Sequence, residues 1–414
     1  MSPEPLEPLE PLAGVTVVDW TDHTGAYAGR LLADLGADVV RVVPPGGDPA
    51  ARVGPFVPGA DGRPVSTFER FVNLNKRSVA LDVAARDGRD VFLRLAGRAQ
   101  VLLHTAARPT LAALGLGPDE LAAANPGLVQ VSVRPFGATG PYRDHLADDL
   151  VQLAAGGLLS LGGYADTAPI AVAGHQTYLA GSIVAAGAAL LGLLGRLHDG
   201  RGRAMDVSVQ EAIAGALEDA VPTYDLTGRV RRRLGEVPRE AGTGTFPCRD
   251  GHVAMVAGRL GTAKAWTALV RWMAESGVDG AAELTGPVWE DFRHRQSEPA
   301  IARFREVFGA FAATRGKAEL YAEAQRRRIA LAPVNDVTDL RADAQLAHRG
   351  FFVPVDDPVL GATLVYPGRV SLVDGRTTLV HRPAPAPGQH TGEVLAELGV
   401  GDEQRTTLVA AGVL

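Results

Sequence analysis

The sequence is short of the residues that would mark several large classes of protein. It contains one cysteine, Cys248, in 414 residues, which excludes an internal disulfide framework and a zinc site built from several thiolates. So low a cysteine content is typical of a reducing compartment, and we expect a cytoplasmic protein. We interpret Cys248 as a residue that packs in a strand rather than as a nucleophile.

The chain also lacks a strong excess of charge of either sign. Its 41 Lys and Arg residues and 47 Asp and Glu residues give a formal net charge of -6. A chain with this net charge does not attract nucleic acid or an anionic membrane as a partner. An anionic ligand would therefore have to be bound by local basic residues. The sequence has no P-loop, no GxGxxG turn after a strand and no HExxH helix, and we expect no metal, flavin or nicotinamide cofactor.

One long apolar run needs an explanation, because the 18 residues from Tyr178 to Gly195 carry no charge. This length is the lower limit for a helix that spans a membrane. The run is rich in Ala and Gly, and neither an aromatic belt nor a basic cluster flanks it. We therefore predict a buried helix, and no membrane partner.

Strand and helix signals alternate through the first half of the chain. Residues 15–20 and 38–43 are predicted as buried strands on either side of a helix over residues 26–35. Such a unit with short loops indicates a parallel sheet. The alternation continues with a helix at 86–98 and further strands up to about residue 210, so the predicted fold class is α/β, with a Rossmann-like parallel sheet in a large domain.

The character of the sequence changes after residue 227. A basic run (residues 229–233), a glycine-rich turn, a strand at Gly251–Val256 and amphipathic helices carrying three of the four tryptophans follow. We predict a second, smaller α+β domain over residues 228–328. Residues 1–11 repeat Pro-Leu-Glu, and we expect them to form a disordered leader.

Nine segments carry a resemblance to a known family. They are LLADLGADVVRV (31–42), PPGGDPAAR (44–52), NLNKRSVALDV (73–83), LGLGPDEL with NPGLVQVSV (114–133), FGATGPY (136–142), GRGRAMDVSVQEA (200–212), DGHVAM (250–255), APVNDV (332–337) and RGFFV (349–353). In this order they resemble the class III CoA-transferases, the CaiB/BaiF group that includes formyl-CoA transferase, carnitine CoA-transferase and the α-methylacyl-CoA racemases. No single segment is decisive, but together they span nearly the whole chain.

The resemblance implies an architecture that the local patterns do not contain. A large CoA-binding domain would be made from both chain ends, residues 12–227 and 329–414, with the small domain inserted between them. Two subunits would be threaded through each other as interlocked rings, either as a homodimer or as a heterodimer with a paralogue. The expected ligands are coenzyme A or an acyl-CoA, as substrate, and a carboxylic acid acceptor.

The resemblance also implies residues that bind CoA. The phosphates need Lys or Arg, and Arg offers two parallel charge-assisted hydrogen bonds. The positions that match are Arg41, Lys76, Arg77, Arg134 and, in the glycine loop, Gly137. A solvated basic face is the alternative interpretation of the four cations.

The family's catalytic carboxylate is missing from this chain. In the family, an aspartate four residues before a glycine attacks the thioester, and counting back from Gly181 gives Thr177. A threonine hydroxyl is a poor nucleophile without a base, and its ester is far less labile than a mixed anhydride. Asp149 and His175 are therefore the predicted catalytic acid/base residues. The alternative for His175 is a structural or substrate-contacting residue at the start of a helix, and the alternative for Asp149 is a charge that interacts favourably with the helix dipole.

Racemase activity is disfavoured, because Asp148 stands where the racemases carry a histidine and Thr177 supplies no second base. Three hypotheses remain. The first is a CoA-transferase-like enzyme that moves CoA between carboxylic acids, or performs related thioester chemistry, with a non-standard active site. The second is a noncatalytic subunit that pairs with an active paralogue. The third is an enzyme of specialised metabolism that reuses the acyl-thioester pocket.

Overall fold

The computed structural model describes residues 9–233, 235, 238–259, 261–368, 372–377 and 382–414. Most of the predicted leader, residues 1–8, lies outside the described residues. The strands are β1 (Thr16–Trp20), β2 (Asp38–Val43), β3 (Phe56–Pro58), β4 (Pro64–Ser66), β5 (Arg77–Ala80), β6 (Val101–His104), β7 (Val129–Arg134), β8 (Ala204–Ser208), β9 (Thr243–Cys248), β10 (Gly251–Val256), β11 (Ala330–Pro333), β12 (Phe352–Asp357), β13 (Ala362–Pro367), β14 (Leu372–Val373) and β15 (Arg376–Thr377).

The α-helices follow the same chain order. They are α1 (Ala26–Asp34), α2 (Thr67–Val72), α3 (Arg86–Arg98), α4 (Arg108–Leu114), α5 (Pro118–Ala124), α6 (Asp149–Ala155), α7 (Gln176–Asp199), α8 (Val209–Ala214), α9 (Ala220–Thr227), α10 (Ala263–Glu275), α11 (Phe292–Arg295), α12 (Glu298–Ala313), α13 (Lys317–Arg326), α14 (Val337–Ala342), α15 (Ala344–His348), α16 (Thr391–Glu397) and α17 (Asp402–Ala410).

A six-stranded parallel sheet organises the larger of two compact units of the chain. Its strands lie in the order β5-β2-β1-β6-β7-β8, and every neighbouring pair is parallel. Successive residues of β1 point to opposite faces: Val17 packs in the cluster that contains α1 and α7, and Val18 in the cluster that contains α3 and the C-terminal helices. Burial on both faces explains the continuous apolar strands. The predicted α/β class is confirmed.

The two last helices return to the first half of the chain. Leu395 of α16 and Leu408 of α17 are buried in the same cluster as Phe92 of α3, and the backbone N–H of Asp82 donates to the carbonyl oxygen of Val413 at 2.8 Å. The larger unit is thus built from both ends of the chain.

The long apolar run forms α7, the one helix among the described residues that is long and apolar enough to cross a membrane. One face of α7 carries small residues that pack closely on the larger unit. A Cβ on Gly192 would lie 2.4 Å from Val129 of β7, and one on Gly181 would lie 2.9 Å from Val209 of α8. This face of the helix therefore belongs to the core of the larger unit.

The smaller unit has its own sheet and its own aromatic core. Its strands lie in the order β11-β10-β9 and pair antiparallel. Trp266 of α10 stacks on Trp289 at 5.8 Å between ring centroids and packs against Phe304 of α12 at 5.5 Å. The amphipathic helices predicted for this region bury their aromatic side chains on one face.

The chain divides at different residues from those predicted. Residues 329–343, expected in the large domain, belong to the smaller unit, because β11 pairs with β10 and places Pro333 opposite Val253. Residues 161–170 belong there as well, where the Arg233 guanidinium donates to the carbonyl oxygens of Tyr164 and Thr167. Both differences come from contacts between segments far apart in sequence.

Candidate functional site

A cavity of about 780 Å³ opens at the carboxyl ends of three strands of the larger unit. The sheet extends through β2 on one side of β1 and through β6 on the other, so the strand order reverses here. Ligands of open parallel sheets bind in the crevice at such a switch point. The wall includes residues 22–24 after β1, Thr105 after β6, and Arg134 and Pro135 at the end of β7.

Two histidines of this wall, His23 and His145, are not among the residues predicted from the sequence. The His23 ring meets Tyr178 edge-on at 5.3 Å, and the His145 ring stacks on Tyr142 at 4.9 Å. One signal could have found His23, because it closely follows the first predicted strand, where a parallel sheet binds its ligands. His145 lies in a loop and carries no comparable local signal.

Arg134, predicted to bind CoA, lies on the cavity wall with 7% of its surface exposed. Its Nη1 and Nη2 donate to the carbonyl oxygens of Ala106 at 3.3 Å and Arg143 at 2.9 Å. Its Nε is buried and has no partner among the described residues. A guanidinium with free N–H groups beside a cavity is suited to binding an oxyanion.

Thr177, at the predicted nucleophile position, is fully buried. Its backbone N–H donates to Oδ1 of Asp149 at 2.8 Å, and its Oγ1 donates to the same oxygen at 2.7 Å. Asp149 begins α6 and Thr177 lies in the first turn of α7. The carboxylate thus joins the starts of two helices and satisfies an amide that has no partner within α7.

Asp148 has the role of a helix cap. It is exposed on the cavity wall, and its Oδ1 accepts a hydrogen bond from the backbone N–H of Val151 at 3.0 Å, which makes it the N-cap of α6. The resemblance places the two acid/base groups of a racemase at positions 148 and 177. A capping aspartate and a buried threonine stand there. That racemase chemistry is disfavoured stays a prediction.

His175 lies just before α7 and is half-buried. Its ring stacks on Tyr178 at 5.4 Å with an interplanar angle of 8° and meets Phe68 edge-on at 4.9 Å. Its Nε2 is 3.4 Å from the carbonyl oxygen of Gly54. Among the described residues no hydrogen bond joins His175 to Asp149, so the predicted acid/base pair is not assembled by contact.

Arg41 and Lys76, predicted to bind CoA phosphates, are each only 1% exposed. Arg41 donates to Oδ1 of Asp48 at 2.7 Å and to Oδ1 of Asp19 at 3.2 Å, and the Nζ of Lys76 donates to Oδ2 of Asp19 at 2.8 Å. That these two residues bind CoA phosphates stays a prediction, and their surroundings do not favour it. Their charges are compensated by buried carboxylates, and they belong to the core.

Burial and neighbouring charges set the ionisation of this buried network. Burial lowers the pKa of Lys76 to about 8, although Asp19 acts in the opposite direction. Burial would raise the pKa of Asp48, but Arg41 outweighs it and brings this pKa down to about 2. Helix α1 approaches the network closely because residue 29 is glycine: a Cβ there would lie 2.4 Å from Oδ2 of Asp19.

Arg77 is also engaged by carboxylates rather than free for a phosphate. Its Nη2 donates to Asp38 at 2.6 Å, and its Nη1 donates to Glu393 at 2.8 Å and Glu397 at 2.7 Å. These ion pairs connect β5 with β2 and with α16. In the structure Arg77 therefore docks helix α16, and its contact with CoA stays a prediction that this arrangement does not favour.

Gly137 lies in the glycine loop after β7 and has a φ of +81°, a conformation that glycine adopts without strain. The next backbone N–H, of Ala138, donates to Oδ2 of Asp206 at 2.8 Å. The loop borders a polar cavity of about 400 Å³ and a mainly apolar cavity of about 370 Å³ over β7 and β8. That Gly137 contacts CoA stays a prediction.

His104 ends β6 in the wall of the apolar cavity and is 4% exposed. Burial, together with the charge of Arg134, lowers its pKa to about 4. A histidine in the unfolded chain titrates near pH 6.5, so the unfolded state binds more protons between these values and stability falls as pH falls. We expect the wild type to lose roughly 3 kcal/mol more than His104→Gln between about pH 7 and pH 4.

Urea unfolding at both pH values measures this difference. The exposed His198 of α7 supplies a matched control, since His198→Gln makes the same chemical change outside the core. Parallel losses of stability in the wild type and in His104→Gln would contradict the prediction.

Comparison with known proteins gives consistent matches over nearly the whole chain. The family model described as CoA-transferase family III matches residues 12–391. The chain is 38% identical, over 92% of its length and 93% of the relative's, to subunit BbsE of succinyl-CoA:(R)-benzylsuccinate CoA-transferase from Thauera aromatica. It is 31% identical, over 97% and 98% respectively, to the beta subunit of succinyl-CoA–L-malate CoA-transferase from Chloroflexus aurantiacus.

A solved structure shares the fold. A CAIB/BAIF family protein from Brucella suis superposes with a TM-score of 0.80 at 24% identity, over 95% of this chain and all of that one. At this level of identity the likeness supports the architecture alone. It agrees with the parallel sheet and the returning C-terminal helices described above.

Proposed function

The chain belongs to CoA-transferase family III, and from this premise we propose that it is a transferase subunit whose nucleophile is supplied by a second, related chain. The proposal rests on the burial and the hydrogen bond of Thr177. By the resemblance it occupies the position of the family aspartate; it is fully buried, and its hydroxyl donates a hydrogen bond to Asp149.

The burial of Thr177 argues against a threonine nucleophile. Asp149 is placed as a base would be, 2.7 Å from Oγ1, but an acyl carbon has no access to an oxygen with no exposed surface. The first turn of α7 would have to open, which would also break the hydrogen bond from the Thr177 amide to Asp149. The contact therefore serves the fold, and the attack on the thioester is left to another carboxylate.

The outer face of α7 supports pairing with another chain. Four of its aliphatic side chains are more than half exposed, with Leu197 at 85%. The others are Ile183, Leu191 and Leu194. A contiguous apolar stripe of this kind marks an interaction site. The occupant that we propose is a chain of the same family, because both curated relatives named above are subunits of CoA-transferases.

The names of those relatives also suggest the substrate class. Each acts on succinyl-CoA and on a second dicarboxylic acid, benzylsuccinate or malate. We propose that this chain takes part in the transfer of CoA from a dicarboxylic acyl-CoA to another carboxylic acid. A cytoplasmic location fits such chemistry and the single cysteine.

Transfer assays with one and two chains test the proposal. The purified chain, mixed with succinyl-CoA and (R)-benzylsuccinate, is expected to show no transfer above background. Coexpression with a family member that retains aspartate-x-x-x-glycine is expected to raise the rate on the order of 10³-fold or more, and replacing that aspartate by asparagine to remove the gain. Full-rate transfer by the single chain would overturn the proposal.

A further inference from the structure

The guanidinium of Arg134 is a buried positive charge without a carboxylate partner among the described residues. Other buried arginines of the larger unit each form an ion pair with at least one Asp or Glu: they are Arg30, Arg41, Arg70 and Arg77. Removing an uncompensated charge from water is costly. A buried, uncompensated positive charge beside a cavity is therefore suited to bind an anionic group of the ligand.

The hydrogen bonds of Arg134 leave a definite set of donors free. A guanidinium has five N–H groups, and two of them are used, by the carbonyl oxygens of Ala106 and Arg143. Three remain: one on Nε, which is buried and unpartnered, and one each on Nη1 and Nη2. Because a ligand cannot reach the buried Nε, the two free Nη–H groups are the planar fork that would bind both oxygens of one carboxylate.

The charges of the cavity favour one carboxylate over the nucleotide end of CoA. Three carboxylates line the same wall, those of Asp22, Asp144 and Asp148. Of these, Asp144 is paired with the exposed Arg143 at 3.2 Å, which leaves Asp22 and Asp148. The phosphates of CoA bring several negative charges at once and would be repelled there more strongly than a single carboxylate, whose one charge is offset by that of Arg134.

We infer that Arg134 binds the free carboxylate of a dicarboxylic acyl group, the one that is not in the thioester, and so selects dicarboxylic over monocarboxylic substrates. This inference rests on the proposed function. It replaces the expectation that Arg134 binds a CoA phosphate. The cavity of about 780 Å³ is of the size that small-molecule sites commonly have, and it has room for substituents between the two ends of the acid.

Calorimetric titration of the full chain with succinyl-CoA and butyryl-CoA tests the inference, because the two thioesters have acyl chains of equal carbon number and differ in the terminal carboxylate. The wild type is expected to bind succinyl-CoA about tenfold more tightly or better. Arg134→Gln is expected to remove this preference and to leave the affinity for butyryl-CoA unchanged. Arg134→Lys, which keeps the charge without the fork, is expected to retain part of it.

Arg94→Gln is the matched control, since it removes an exposed arginine of α3 that does not line the cavity, and it is expected to keep the full preference. Equal weakening of succinyl-CoA, butyryl-CoA and adenosine 3′,5′-bisphosphate in Arg134→Gln would overturn the inference and show a phosphate ligand, with the proposed function intact. Absence of binding by any CoA ester to the folded wild type would overturn both.

Discussion

Replacing Asp19 by asparagine is expected to lower the free energy of unfolding by roughly 3–5 kcal/mol. Asp19 has no exposed surface and accepts hydrogen bonds from Lys76 at 2.8 Å and from Arg41 at 3.2 Å. An amide of the same shape leaves two buried cations with Asp48 as their nearest compensating carboxylate. Urea unfolding followed by circular dichroism measures the loss.

The control for this prediction is Asp38→Asn, the same chemical change at a side chain that is 43% exposed and paired with Arg77. Because Asp38 is partly exposed and Arg77 keeps Glu393 and Glu397 as partners, a loss of less than about 1 kcal/mol is expected. Similar small losses in both variants would show that the buried network does not stabilise the fold as argued here.

The Asp19→Asn variant also tests whether Arg41 and Lys76 belong to the core or to a CoA site. Because both belong to the core, the fraction of Asp19→Asn protein that stays folded is expected to bind CoA with wild-type affinity. Loss of CoA binding together with normal stability would instead return these cations to a ligand site.

Introducing the family carboxylate by Thr177→Asp is expected to destabilise the chain at neutral pH by roughly 3 kcal/mol or more. The new carboxylate would lie where Oγ1 now lies, 2.7 Å from Oδ1 of Asp149 and without exposed surface. Two carboxylates this close cannot both ionise readily, so one proton is held with a raised pKa. The folded state then binds more protons than the unfolded state, and stability falls as pH rises through that pKa.

Thr177→Asn is the matched control, because its amide keeps a donor toward Asp149 and adds no charge. The difference in unfolding free energy between the Asp and Asn variants is expected to grow from about pH 5 to pH 8. Equal stability at pH 8 would contradict the prediction. If such a Thr177→Asp chain also transferred CoA alone, one substitution would separate this protein from a self-sufficient enzyme.

The sequence by itself determined several strands and helices and the lack of a carboxylate at position 177. The strand over residues 38–43, the helix over 86–98 and the strand over 251–256 have the predicted bounds in the structure, because apolar periodicity and turn residues act over a few positions. The absence of a carboxylate at position 177 is likewise a matter of residue identity, which folding cannot change.

Only the tertiary structure decided which basic residues are already paired with carboxylates. Arg41 and Arg134 both lie in apolar strands of the same sheet, and their local sequences do not distinguish them. Arg41 meets the carboxylates of Asp19 and Asp48, whereas Arg134 meets carbonyl oxygens and a cavity. Whether an arginine has a carboxylate partner depends on which residues the packing of strands and loops brings next to it. Those residues are distant in the sequence, so no local pattern predicts them.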